Sequence, residues 1–295
     1  MQNIFEQYMI EPVPGQIEKN IQDIQKTSEQ YVNVEYLKKI FSMIDLTSLN
    51  TQDNDTDIVN LCRKVNEFSG KFKDMPPVAA ICVWPSLVST VRRNLQAGGI
   101  KVASVAGGFP SSQTFREIKI NETAMAVEAG ADEIDIVMPV GRFLDGDYIG
   151  VAGEIKEMKL AAGPAHLKVI LETGVFENET DIRNASLLAM HAGADFIKTS
   201  TGKVSPAASF HAVYVMALAV RDFYRRTGKK VGIKPAGGIV EPADAVIYAL
   251  ITERILGEEW VKPELFRIGA SRLSNNILTA VNKLRSEAAS DITWF

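Results

Sequence analysis

From residue 41 onward, short apolar runs alternate with longer segments of helical period, and eight such pairs can be counted. The runs are FSMID (41–45), VAAICVW (78–84), KVASVAG (101–107), DEIDIVM (132–138), HLKVILET (166–173), DFIKTS (195–200), VGIKPA (231–236) and LFRIGA (265–270). Each reads as a strand, and the segments near 54–68, 85–97, 113–129, 147–162, 178–192, 206–227, 242–256 and 271–286 read as helices. Together they form a train of βα units and predict a parallel sheet. Two junctions repeat: AVEAGADEIDI (126–136) and AMHAGADFIKT (189–199) share a helix end, a glycine turn and a strand start, as repeated βα units should. Eight units over roughly 250 residues match a closed (β/α)8 (TIM) barrel in number and length. An open doubly wound sheet, which more often has five to seven strands and a dinucleotide fingerprint, is the alternative.

The chain therefore divides into an N-terminal helical extension, residues 1–40, and a barrel, residues 41–295. The extension is rich in Gln, Glu and Asn, and Ile17, Ile21 and Ile24 fall on one helical face. That stripe needs a surface to cover, either the barrel floor or a second copy of the chain; a homo-oligomer stays open. With 295 residues, 46% hydrophobic and 23% charged, the chain can bury a large core. A net charge of −4 without a basic run points away from nucleic acid and from anionic membranes. Any anion must then be held by a local pocket. The start MQNIFEQYMIEP lacks the order of a secretory signal, and no stretch approaches the ~18 apolar residues of a membrane span, so a cytoplasmic location is expected. Cys62 and Cys82 are too few for a disulfide framework and read as free thiols.

Barrel active sites lie at the C-terminal ends of the strands, which gives weight to polar residues there. Asp45 ends the first strand, Asp135 lies in the fourth, Lys168 in the fifth, Lys198 in the sixth and Lys234 in the seventh. A lone strand lysine usually reaches water or a carboxylate. Three on consecutive strands about 4.8 Å apart would instead meet in the barrel mouth, with Asp135 one strand farther round. A free lysine, pKa about 10.4, is well under 1% nucleophilic amine at neutral pH. Two ammonium groups roughly 6 Å apart, at an effective dielectric near 20, repel by about 3 kcal/mol, or about two pKa units. One lysine can then stay charged while the other attacks a carbonyl as an amine. Spacing leaves Lys198 and Lys234 equivalent in these roles. His166 falls at the barrel floor and His191 and His211 fall in helices, so no histidine spacing suggests a metal at the mouth.

Three glycine-bearing turns, TSTGK (199–203), PAGG (235–238) and GAS (269–271), follow the last three strands. Such turns expose N–H groups to a phosphate, which makes Gly202, Lys203, Gly237, Gly238 and Ser271 candidates. Ser271 suits an N-cap of the last helix equally well.

The segments DEIDIVM, ADFIKTSTGK, GIKPAGG and RIGAS, in this order, with MIDLTSLN and AAICVWP, resemble the deoxyribose-phosphate aldolase family over roughly residues 41–286. The resemblance implies a Schiff-base aldolase barrel, a lyase of deoxyribonucleotide catabolism. Such an enzyme cleaves the phosphosugar 2-deoxyribose 5-phosphate reversibly to acetaldehyde and glyceraldehyde 3-phosphate, with no metal or other cofactor. By position it makes Lys198 the Schiff-base lysine, Lys234 the second lysine that keeps it activated, and Asp135 the proton donor and acceptor. Asp45 and Lys168 would line the same pocket. Another Schiff-base phosphosugar aldolase, transaldolase-like, and a non-catalytic phosphosugar-binding barrel are the competing readings.

Two departures from the family pattern stand out. Many bacterial members end in a tyrosine, but this sequence ends DITWF. Either the tail stays out of the site, or Asp135 and water suffice for the proton step. Val240 and Arg272 stand where bacterial members carry an arginine and a second serine. Arg272 would then supply phosphate charge from the eighth loop, together with Lys203, or else point to solvent.

Overall fold

The protein is described by a computed structural model covering Phe5, Gln7, Tyr8, residues 15–286 and residues 290–295. Two helices, α1 (Gln16–Ser28) and α2 (Val34–Phe41), precede the first strand. The strands are β1 (Ile44–Thr47), β2 (Ala80–Val83), β3 (Lys101–Ala106), β4 (Glu133–Val137), β5 (His166–Ile170), β6 (Phe196–Lys198), β7 (Gly232–Lys234) and β8 (Ile268–Ala270). Between and after them run α3 (Asp55–Lys71), α4 (Val88–Asn94), α5 (Arg116–Glu128), α6 (Val140–Leu144), α7 (Tyr148–Ala162), α8 (Glu179–His191), α9 (Phe210–Thr227), α10 (Pro242–Leu256) and α11 (Leu273–Arg285). All neighbouring strands are parallel, in the order β7-β6-β5-β4-β3-β2-β1-β8. Bridges from Ile233 to Phe266 and from Ala236 to Gly269 return β7 to the β8 segment. The ring is thereby closed, and the (β/α)8 barrel expected from the alternation is the fold found, not the open sheet.

Strand alternation sorts the side chains. Ile81, Val102, Ile134, Ile136, Leu167, Val169, Ile197 and Ile233 belong to the large buried cluster between strands and helices. Ala80, Cys82, Ala103 and Val105 form a second, small apolar cluster with Leu49. Gly232 is required by packing, because a Cβ there would overlap the ring of its register partner Phe196.

Two sequence expectations shift. FSMID was expected to begin a strand at residue 41, but Leu37, Ile40 and Phe41 are the buried face of α2, whose N-cap Asn33 accepts from the Tyr36 N–H at 3.0 Å. The strand begins three residues later, at Ile44. Ile17, Ile21 and Ile24 are buried as the stripe predicts, yet α1 packs along the outer helices α9 and α10 instead of the floor. Asn20 donates to the Tyr214 hydroxyl at 2.8 Å along this seam. The outer helices provide an elongated apolar strip that matches a helical stripe. Among the described residues, no helix is long and apolar enough to cross a membrane. Cys62 and Cys82 are buried free thiols.

Candidate active site

Strand register fixes the height of each charged side chain. Lys198 pairs with Lys234, and Asp135 pairs with Lys168. Lys168 itself pairs with Phe196, so it lies two residues below Lys198. The three lysines converge as expected, but at two heights.

Asp135 is the hub. Its Oδ2 accepts from Lys198 Nζ and from Lys234 Nζ, both at 2.7 Å, and its Oδ1 accepts from Lys168 Nζ at 2.8 Å. Lys234 also donates to Asp45, and Lys168 pairs with Glu133 at 2.7 Å. Beneath them Arg267 donates to Asp45 Oδ1 at 2.7 Å and to both oxygens of Glu133, at 2.8 and 3.1 Å. All seven groups are buried. Burying a charge is tolerable only when it is paired, and here each ion has a partner. Glu133 and Arg267 were not singled out from the sequence. The signal was present, since strand period two puts Glu133 on the same face as Asp135.

The seven groups do not titrate alike. Burial pushes the Asp135 carboxyl up, but the ammonium groups of Lys168, Lys198 and Lys234 hold it well below the usual carboxylate range. Asp45 and Glu133 are likewise held down, burial being outweighed mainly by Lys234 and Arg267 for Asp45 and by Lys168 for Glu133. Lys168 and Lys234 are each penalised by burial, yet their carboxylate neighbours raise them above an ordinary lysine. Lys198 goes the other way. Burial lowers it, Asp135 only partly compensates, and the Lys234 charge lowers it further. The physical reason is the shared oxygen: Lys198 has Asp135 alone, whereas Lys234 has Asp45 as well.

Above this cluster opens a cavity of about 580 Å³. Lys198 lines it, whereas Lys168 and Lys234 do not; Lys198 is 4% exposed and the other two are 0%. The equivalence left by spacing is thus broken by depth. Gly202, Lys203, Gly237, Gly238, Ser271 and Arg272 all line the same cavity. Gly202, Gly237 and Gly238 have φ of 77°, 89° and 77°, a conformation that favours glycine. At Gly237 a Cβ would stand 3.0 Å from Gly202 Cα, so the loops after β6 and β7 nearly touch. Lys203 Nζ donates to the Leu49 carbonyl at 2.7 Å, which ties the β6 loop to the β1 loop. Glu172, at φ 58°, accepts from the Thr201 N–H at 3.1 Å and hydroxyl at 2.6 Å and so braces the β6 loop from below. The N-cap expectation for Ser271 is not met. Arg272 occupies that position, with no side-chain cap, and Ser271 is exposed toward the cavity.

Two further contributors complete the wall, Lys64, which the sequence did not point to, and the tail, whose place the sequence left open. Lys64 reaches the cavity from α3. The tail enters the site: Phe295 lines the cavity, and Asn275 accepts from the N–H groups of Trp294 and Phe295 at 2.9 Å while donating to the Phe295 carbonyl at 2.9 Å. Trp294 Nε1 donates to the Lys64 carbonyl at 3.1 Å, and the Phe295 ring stacks on Phe68 at 5.5 Å. Of the two alternatives for the tail, exclusion from the site is therefore ruled out. Among the described residues, one group has metal-ligand composition, Glu18, Glu179 and His211. Its carboxylates sit on opposite ring nitrogens, at 3.0 and 3.1 Å, so the imidazole bridges them instead of sharing an ion with both.

A family model described as DeoC/LacD family aldolase matches residues 39–255. Deoxyribose-phosphate aldolase of Homo sapiens is 44% identical over 252 residues, which are 82% of this chain and 79% of that one. The Mus musculus protein of the same name is 42% identical over the same shares. Among solved structures, the tetrameric deoxyribose phosphate aldolase from Aeropyrum pernix superimposes with a TM-score of 0.66 at 26% identity, over 90% of this chain and 99% of that one.

Proposed function

This chain belongs to the DeoC/LacD aldolase family, and on that footing we propose that it is a lyase cleaving 2-deoxyribose 5-phosphate reversibly to acetaldehyde and glyceraldehyde 3-phosphate through a Schiff base on Lys198. One observation carries the choice of residue. Of the three lysines in the ion-pair cluster, Lys198 alone faces the cavity, and it alone is held below an ordinary lysine pKa.

The neutral Lys198 amine attacks the aldehyde carbon, and loss of water gives an imine. Protonated, the imine draws electrons as the hydroxyl at carbon 3 loses its proton and the bond between carbons 2 and 3 breaks. The enamine left on Lys198 takes a proton at carbon 2, and hydrolysis releases acetaldehyde. Asp135, with one oxygen 2.7 Å from both Lys198 and Lys234, is placed to exchange protons with the reacting amine. Lys234 supplies the second positive charge, while Asp45 and Lys168 hold Lys234 and Asp135. The phosphate rests against the N–H groups of Gly202, Gly237 and Gly238 and against Ser271, with Arg272 and Lys203 supplying charge. Residues 41–295 act as one catalytic barrel and residues 1–40 as its extension. A cytosolic setting, supported by the two buried free thiols, and self-association like that of the tetrameric relative complete the reading.

Borohydride reduction in the presence of substrate, followed by peptide mass spectrometry, tests it. The adduct is expected on Lys198. Label on Lys234 would overturn the assignment, and no adduct would remove the Schiff base.

A further inference from the structure

The ion pairs beneath Lys198 form one connected cluster, and its charges can be counted. Asp45, Glu133 and Asp135 carry three negative charges, and Lys168, Lys234 and Arg267 carry three positive ones. Without Lys198 the cluster is neutral; an ammonium there would be a fourth, unmatched cation. Glu133 and Arg267 lie deepest and do not line the cavity, so neither touches substrate. Each reaches the mouth through one intermediary on each side. Glu133 bonds Lys168, which bonds Asp135 Oδ1; Arg267 bonds Asp45, which bonds Lys234.

We propose that Glu133 and Arg267 are positioning residues that set the charge of this cluster and through it the share of Lys198 held as free amine. The inference rests on Lys198 being the reacting lysine. Charge balance matters here because every member is buried, where an unmatched charge is poorly screened. The other titratable groups packed near Lys198 do not upset the count. Cys82 on β2 is buried, and its thiol is pushed up, which keeps it neutral. Glu172 on the loop after β5 is bonded to Thr201 and lies outside the ion-pair cluster.

The sign follows from the count. Glu133→Gln removes a negative charge, leaving the other five groups beneath Lys198 with a net positive charge, so a proton on Lys198 becomes costlier and its pKa falls. Arg267→Met removes a positive charge, and the pKa of Lys198 rises. The double variant restores neutrality. Acting across two intervening side chains from Glu133 and three from Arg267, at an effective dielectric near 20, each single change should move the pKa by on the order of one unit, tenfold in amine at a fixed pH below it.

The test is the pH dependence of kcat/KM for acetaldehyde release, together with the pH dependence of borohydride trapping, for the full chain and the three variants. The acid limb should move down in Glu133→Gln, up in Arg267→Met, and return close to the parent position in the double variant. Plateau KM should stay within about twofold, as neither residue touches substrate. If Arg267→Met does not fold, the comparison of Glu133→Gln with the double variant carries the same sign test. Limbs that stay still, that move in the same direction, or that fail to return in the double variant would overturn the inference. Trapping of Lys198 in the parent protein separates these outcomes from failure of the Schiff-base assignment; its absence would overturn both.

Discussion

Replacing Lys234 by methionine removes a positive charge next to the reacting amine while keeping most of the side-chain volume. Lys198 and Lys234 each lie 2.7 Å from the same Asp135 oxygen. Their nitrogens can therefore be no more than about 5.4 Å apart, and at an effective dielectric near 20 the bare repulsion is at least roughly 3 kcal/mol, about two pKa units. The net effect is smaller than the bare repulsion, because Asp45 also pairs with Lys234 and offsets part of its charge. The direction does not depend on the dielectric. Burial lowers Lys198 first and Lys234 lowers it further, so deleting Lys234 raises the Lys198 pKa, and the free amine appears only at higher pH.

The expected profile of Lys234→Met is an acid limb displaced upward by one to about two pH units, with kcat/KM near pH 7 reduced up to about 100-fold and regained as pH rises. Steady-state acetaldehyde release and borohydride trapping, both followed from pH 6 to about 10, report the limb independently. A limb that stays in place under a lowered plateau would refute the reasoning. Lys234 would then act only in moving protons, and burial alone would set the amine.

Lys198→Met should abolish turnover yet leave the melting temperature unchanged or higher, since the remaining six ions balance. Lys168→Met strips a partner from both Asp135 and Glu133 and should cost about 3–5 kcal/mol, read by calorimetry as a fall of several degrees. Equal destabilisation by the two would refute the charge count. Arg272→Ala and Lys64→Ala should each raise KM for the phosphorylated substrate about tenfold, a charged contact being worth about 1.5–3 kcal/mol, and leave unphosphorylated deoxyribose unaffected. Equal effects on both substrates would place these cations outside the phosphate site. Deleting residues 291–295 should raise KM several-fold with kcat largely kept, because Phe295 walls the cavity but offers no proton. A collapse of kcat with an intact fold would give the tail a part in the chemical step.

The strands and the barrel were legible because each strand is a short apolar run between helical segments and glycine turns, a local signal repeated eight times. Phe41 was misplaced because an apolar residue at a helix end looks the same as one at a strand start. The lysine set was legible by position, but the division of labour between Lys198 and Lys234 was not. They are register partners on neighbouring strands, and what separates them is depth beneath a cavity built by loops remote in sequence. The tail was unreadable for another reason. Its seat depends on three hydrogen bonds to Asn275 and on the rings of Phe68 in α3 and Phe72 just beyond it, and none of these leaves a periodicity.

Glu133 and Arg267 could have been found by carrying strand period two through to the interior. Once Asp135 points inward, so must Glu133, and a carboxylate buried two residues below a charged hub demands a cation at its own level. Arg267 supplies it from across the barrel, its guanidinium 5.8 Å from the Phe196 ring, the same ring that fills the space a side chain at Gly232 would occupy. A barrel built for stability alone would fill these layers with branched apolar side chains. Apolar groups of similar volume are often as stable as a buried ion cluster or more so. Here the interior, from β4 round through β8 to β1, holds seven ionisable groups, and six of them balance. The seventh is the lysine at the cavity, so the cost of the cluster falls on the one group whose discharge yields a nucleophile.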